Sequence, residues 1–238
     1  MKIILFISDM EGTFTLENIT NDIAKEKAYT LFTKLLVKIK NDNKADQIIF
    51  SLATSYNDPS YVQKSLNNVK EPFAKNNVVI GKCFLERMYY QDGKYFQCDK
   101  NEDSFKLNKV TKYINELKEQ GHEIVWFGFA DDSLGIVAAD FFKEMIPTEI
   151  PYDVFVPGKG ASNAAEHLYV SDQEGILGLN DCILSSVGDY SLRDEVEAEY
   201  PVIKEEPVLE DKKDNEDKQN KSSFMKKLMM NFGFNNKK

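Results

Sequence analysis

The sequence predicts an α/β protein, a three-layer α/β/α sandwich around a parallel central sheet with a small β-hairpin insertion. Two observations carry this expectation. Four short runs, KIILFIS at 2–8, QIIFSLAT at 47–54, EIVWFGFA at 123–130 and YDVFV at 152–156, are apolar along their length rather than alternating, as strands buried on both faces are. Stretches with apolar residues at helical spacing lie between them, so strand and helix alternate along the chain.

The 238 residues and 42% hydrophobic content allow one domain of ordinary size, expected over 1–200, with an appendage behind it. A net charge of −9 argues against a nonspecific nucleic-acid binder. Three widely spaced cysteines, Cys83, Cys98 and Cys182, form no CxxC pair. They suggest neither a disulfide framework nor a zinc site, and a reducing cytoplasm is expected. The first apolar run is short and meets an acid at Asp9, so it is read as neither a signal peptide nor a membrane span.

The first run ends in Asp9-Met10-Glu11-Gly12-Thr13, a loop at the carboxyl end of a buried strand, where ligands collect in open α/β sheets. Residues 21–41 follow as a helix, with Ile23, Ala24, Ala28, Leu31, Phe32, Leu35, Leu36 and Ile39 on its apolar side. The second strand ends in Thr54-Ser55, and Asn57-Asp58-Pro59 opens a further helix around 61–68. Residues 77–84 are read as a third strand. Aromatic residues on both sides of Asp92-Gly93 then predict a protruding hairpin over about 85–98, either a lid or an edge ribbon packed on the sheet.

A helix over 104–120 is expected to start at Ser104 as its cap, with apolar residues at 107, 110, 113, 114 and 117 and Gly121 closing it. The fourth strand runs into Asp131-Asp132-Ser133. Beyond it the expected elements are a helix over 134–142, the strand at 152–156, a helix opened by Ser162-Asn163-Ala164-Ala165, a short strand at 168–170 and a last helix.

Residues 204–221 hold twelve charges and two apolar residues, so 201–221 is expected to be a flexible charged linker. Residues 222–238 carry four lysines and no acids, with Phe224, Leu228 and Phe232 along one side. This basic amphipathic tail is expected to dock on a protein partner or lie on an anionic membrane surface, which would make the cytoplasmic protein peripheral to a membrane.

Taken together, strand-Asp9-x-Glu11-Gly12-Thr13, strand-Thr54, helix-Lys106 and strand-Asp131-Asp132 resemble, in order and spacing, the four motifs of the haloacid dehalogenase (HAD) superfamily. That family consists mostly of Mg²⁺-dependent phosphatases and phosphotransferases with a Rossmannoid core. The resemblance covers roughly residues 1–188 and implies a role for each position. Asp9 would be the nucleophile that forms an aspartyl-phosphate, and Glu11 the general acid and base. Thr54 would hydrogen-bond the transferring phosphoryl group. A lysine near the start of the helix, Lys106 or alternatively Lys109, would neutralise the site's charge.

For Mg²⁺, Asp131 would be a direct ligand together with Asp9 and the backbone carbonyl of Glu11, and Asp132 would be a second ligand or orient the lysine. Two positions depart from the common pattern, since most relatives carry Asp where Glu11 stands and Gly where Ala130 stands. The room between the first and second strands leaves no space for a large helical cap, so the resemblance implies a minimal cap and an open site for a phosphorylated substrate of unspecified class.

Two other classes compete with a phosphatase. A catalytically weak or inactive HAD-like scaffold would bind a partner or membrane through its tail. A response-regulator receiver domain also combines acids, a hydroxyl and a lysine, but its phosphoacceptor lies on a middle strand rather than the first.

Overall fold

The computed structural model describes residues 1–16, 20–98, 106–133, 146–147, 149–158, 168–173 and 175–187. Among them the chain forms β1 (Lys2–Ser8), a turn over Met10–Phe14, α1 (Asp22–Asp42), β2 (Gln47–Leu52), α2 (Pro59–Lys75), β3 (Val78–Ile80), β4 (Cys83–Phe84), β5 (Met88–Gln91), β6 (Lys94–Gln97), α3 (Lys106–Glu119), β7 (Glu123–Ala130), β8 (Tyr152–Val156), β9 (Leu168–Val170) and α4 (Gly175–Val187). Six strands pair in parallel in the order β3-β2-β1-β7-β8-β9. The chain builds outward from β1 on one side, then crosses to β7 on the other. Strand order therefore reverses at β1 and β7, the place where open α/β sheets form a crevice beyond their carboxyl ends.

Strand alternation divides β1 between two cores. Ile4 and Phe6 pack with residues of α1, α2 and α4, whereas Ile3, Leu5 and Ile7 pack with Leu107, Val110, Tyr113, Ile114 and Leu117 of α3. Both faces of the sheet are thus covered, which is why the strand reads as continuously apolar. Pairing between β1 and β7 shifts after Ile3, which faces Ile124, so that Ile4 faces Trp126 and Val125 is the extra residue of a bulge. The bulge turns Trp126 toward the α1, α2 and α4 side. There Phe6 stacks with Phe50, Trp126 and Phe155 at centroid distances of 6.3, 6.2 and 5.9 Å, an aromatic row across β2, β1, β7 and β8.

Asn21 caps α1 by accepting from the backbone N–H groups of Ile23 and Ala24, close to the expected start. Helix α2 is longer than the expected 61–68. Asp58 accepts from Ser60 N–H at 2.9 Å and Pro59 takes the first turn, where its missing N–H costs nothing. The helix then continues through Pro72, because Val62, Leu66, Val69 and Phe73 keep helical spacing and Phe73 packs on Phe50.

The expected single strand over 77–84 is a correction. It breaks after Ile80, since Gly81 N–H still reaches Phe50 O but Lys82 N–H turns to the Tyr113 hydroxyl at 3.1 Å. Cys83–Phe84 then joins the hairpin, making a three-stranded antiparallel sheet β4-β5-β6. The Asp92-Gly93 turn has positive φ at both residues, 50° and 78°, as a two-residue hairpin of this twist requires. Tyr90, Tyr95 and Met88 pack on the main core, and the Tyr95 hydroxyl donates to Pro59 O at 2.6 Å, so the hairpin is docked rather than protruding.

Among the described residues no helix is long and apolar enough to cross a membrane. The Ser104 cap, the helices expected over 134–142 and from Ser162, the linker 201–221 and the tail 222–238 all lie outside the described residues.

Candidate functional site

Four neighbouring strands, β2, β1, β7 and β8, are laced together just past their ends. Asp9 N–H donates to Ala130 O at 2.7 Å, Ala53 N–H to Ser8 O at 2.9 Å, and Asp131 N–H to Phe155 O at 3.1 Å. Parallel pairing thereby sets Thr54, Asp9 and Asp131 side by side at the carboxyl ends of β2, β1 and β7. Opposite them, α3 begins at Lys106. Its ammonium donates to Asp9 Oδ1 at 2.6 Å and to Asp131 Oδ2 at 2.7 Å.

Asp9 is 5% exposed, Asp131 1% and the Lys106 side chain 10%, so these charges interact with little screening by water. Burial pushes the Asp9 carboxyl up to about 7 against the pull of Lys106, with Asp131 adding to the rise. Burial also pulls Lys106 down, but the Asp131 and Asp9 carboxylates outweigh it and hold the ammonium above the ordinary lysine range. Asp132, more open, is raised by its partial burial and by Asp131.

The loop after β1 is shaped by Gly12, whose φ of +66° belongs to the left-handed region. A Cβ there would sit 2.3 Å from Asp132 Oδ2, so only glycine lets that carboxylate close on the loop. Asp9, Asp131 and Asp132 each offer one carboxylate oxygen, all within 4.8 Å of one another. Ser133 N–H donates to Asp131 Oδ1 at 2.8 Å and fixes the carboxylate's rotation. Three carboxylates against one ammonium leave excess negative charge when all are ionised. An all-oxygen donor set of this kind fits a hard divalent cation such as Mg²⁺.

Glu11 turns to the other side of the site, where its Oε2 accepts from the Thr54 hydroxyl at 2.8 Å. That hydroxyl in turn accepts from Tyr56 N–H at 3.0 Å. The two lysines proposed from sequence are separated by geometry. Lys106 meets the acids, whereas Lys109 is buried and donates to the carbonyls of Leu85 and Glu86 at 2.7 and 2.6 Å. Asp9, Asp131, Asp132 and Lys106 thus come together, Glu11 and Thr54 pair beside them, and Lys109 stands away as a strut of the hairpin root.

Sequence reading missed the supporting residues Tyr56, Glu86 and Ser133. Only Ser133 had a signal, since Asp-x-Ser is a turn in which the aspartate accepts from the backbone two residues on. Burial holds the thiols of Cys83 and Cys182 up at about 12, which makes both poor nucleophiles. Compared with protein-family models, with curated proteins and with solved structures, the chain matches none of them.

Proposed function

We propose that the chain is a HAD-like, Mg²⁺-dependent phosphatase that works through an aspartyl-phosphate on Asp9. The observation that carries this reading is the ammonium of Lys106 held between the buried carboxylates of Asp9 and Asp131 at the point where strand order reverses. A cation bracketed by two buried acids beyond a parallel sheet suits a ligand with concentrated negative charge, and a phosphoryl group is such a ligand.

In the proposed reaction an Asp9 oxygen forms a bond to phosphorus while the bond from phosphorus to the leaving oxygen breaks, and Glu11 gives that oxygen its proton. Glu11 then takes a proton from water, whose oxygen bonds phosphorus as the Asp9–phosphorus bond breaks and the carboxylate is restored. Lys106 and Thr54 bind phosphoryl oxygens, and Lys106 keeps Asp9 oriented. Mg²⁺, held by Asp9, Asp131 and Asp132, would supply positive charge that offsets repulsion between phosphate and nucleophile. The root of the docked hairpin lies against the Thr54 loop beside the site, and the reading takes a substrate whose bulk stays outside. A cytoplasmic location, with association to a partner or anionic membrane through 222–238, completes the reading.

The test is hydrolysis of a panel of phosphate monoesters with and without Mg²⁺, by the parent and by Asp9→Asn. Turnover that needs Mg²⁺ and disappears in Asp9→Asn supports the reading, and Mg²⁺-dependent turnover that survives Asp9→Asn overturns the covalent route. A second reading, an inactive scaffold of the same fold, is favoured by the Thr54–Glu11 bond, because two groups needed for transfer are spent on each other. Mg²⁺ binding without phosphate release from any ester would favour it.

A further inference from the structure

Lys109 is buried at 5% exposure, yet its ammonium rests on two backbone carbonyls at the root of the hairpin. Taking an ammonium out of water is costly, and neutral carbonyls return only part of that cost. A position that needed only packing would be better filled by methionine or leucine. What the lysine holds is the start of a hydrogen-bonded line into the site. From the root, Glu86 N–H donates to Tyr56 O at 3.3 Å, Tyr56 N–H to Thr54 Oγ1 at 3.0 Å, and Thr54 Oγ1 to Glu11 Oε2 at 2.8 Å.

The same root is fastened to the same loop by other bonds. Thr54 N–H donates to Phe84 O at 2.9 Å, Asn57 Nδ2 to Glu86 Oε2 at 2.7 Å and Arg87 N–H to Asn57 Oδ1 at 3.1 Å. Lys109 lies one turn along α3 from Lys106, so a single helix meets the acids through Lys106 and the hairpin root three residues later.

We propose that Lys109 is a positioning residue that acts through the hairpin root and Tyr56 to hold the Thr54 hydroxyl, and through it Glu11, in place for proton transfer. The proposal rests on the phosphatase reading of this site. It assigns the antiparallel sheet β4-β5-β6 a task other than covering substrate, namely to brace the Thr54 loop against α3.

The experiment is a double-mutant cycle on phenyl phosphate hydrolysis, with amide exchange read in parallel. Lys109→Met should lower kcat about tenfold, a fraction of the roughly 10²–10⁴-fold that a positioned acid supplies, leaving KM and the Mg²⁺ concentration for half-maximal rate unchanged. Combined with Thr54→Ala it should lower kcat no further than Thr54→Ala alone. Effects of Lys109→Met and Thr54→Ala that multiply, or an unchanged kcat in folded Lys109→Met, overturn the proposal. Should the methionine variant fail to fold, Lys109→Gln, which keeps an N–H donor on a shorter stem, enters the same cycle.

Exchange at Tyr56 N–H should quicken in the Lys109 variant while amides of β1 and β7 keep their protection, and an unchanged Tyr56 rate overturns the brace. This readout needs no turnover. A parent with no phosphatase activity but a quickened Tyr56 amide would therefore sink the functional reading while leaving the brace standing, whereas an active parent with an unmoved Tyr56 would do the reverse.

Discussion

Lys106 and Asp9 hold their charged atoms 2.6 Å apart, and Asp131 closes on the same ammonium at 2.7 Å from the neighbouring strand. The lysine therefore separates two buried carboxylates that would otherwise face one another. Removing one partner of a buried ion pair leaves uncompensated charge and typically costs about 3–5 kcal/mol. Lys106→Met should lower the melting temperature of the metal-free protein by many degrees, and Mg²⁺ should restore part of the loss. Asp131→Asn should weaken Mg²⁺ binding severely, because a small cation held by few protein carboxylates has no substitute. Melting curves with and without Mg²⁺, and calorimetric titration of Asp131→Asn, check the pair.

The raised Asp9 carboxyl gives stability a pH dependence of unusual sign. In the folded, metal-free protein burial pushes it up to about 7, against the ordinary carboxyl value of 3.8 in an unfolded chain. The folded state therefore holds a proton that the unfolded state has released, and stability falls as pH rises through that interval. A carboxyl depressed by an ion pair would act the other way. Metal-free parent protein should melt at progressively lower temperature from pH 4 toward 7, and Asp9→Asn should flatten that slope.

Glu11 should show its role through the leaving group. Glu11→Gln cannot donate a proton or activate water, so it should lose roughly 10²–10⁴-fold in rate with a poor leaving group and accumulate phospho-enzyme with a good one. Glu11→Asp should retain or raise activity. Rapid-quench detection of acid-stable phosphoprotein, with steady-state rates for both variants, decides between these outcomes.

Gly12 gives a sharper structural test. Gly12→Ala places a methyl group 2.3 Å from Asp132 Oδ2 and adds about 1–2 kcal/mol for a left-handed alanine. The variant should fold, melt somewhat lower and bind Mg²⁺ more weakly than the parent, because the displaced carboxylate is one of the three that could hold the ion. Calorimetry against Asp132→Asn compares the two losses.

The site acids were legible because each ends a buried apolar run, a pattern that depends on local sequence alone. The choice between Lys106 and Lys109 was not. Both lie on one helix a turn apart, and only tertiary packing decides that one ammonium reaches Asp9 and the other reaches the Leu85 and Glu86 carbonyls. The extent of α2 escaped for a related reason, since Pro72 looks like a terminator until Phe73 is seen inside the aromatic core. The break at Gly81 escaped as well, because the Tyr113 hydroxyl that takes the Lys82 N–H comes from a helix far along the chain.

The placement of β1 at the centre of the sheet also bears on how the chain is made. Its partner on one side, β2, follows soon after, but its partner on the other, β7, begins at Glu123, and Met1 itself is joined to that end through Glu123 N–H and Gly121 O. A chain emerging from the ribosome therefore carries β1 as an open edge until most of the sheet-forming sequence has appeared. Ile3, Leu5 and Ile7, fully buried at the end, lack their β7 neighbours Phe127 and Phe129 until then. Such long-range closure is slow, and an unpaired apolar edge is an invitation to intermolecular pairing. Fragments that stop short of β7 should aggregate through the KIILFIS edge.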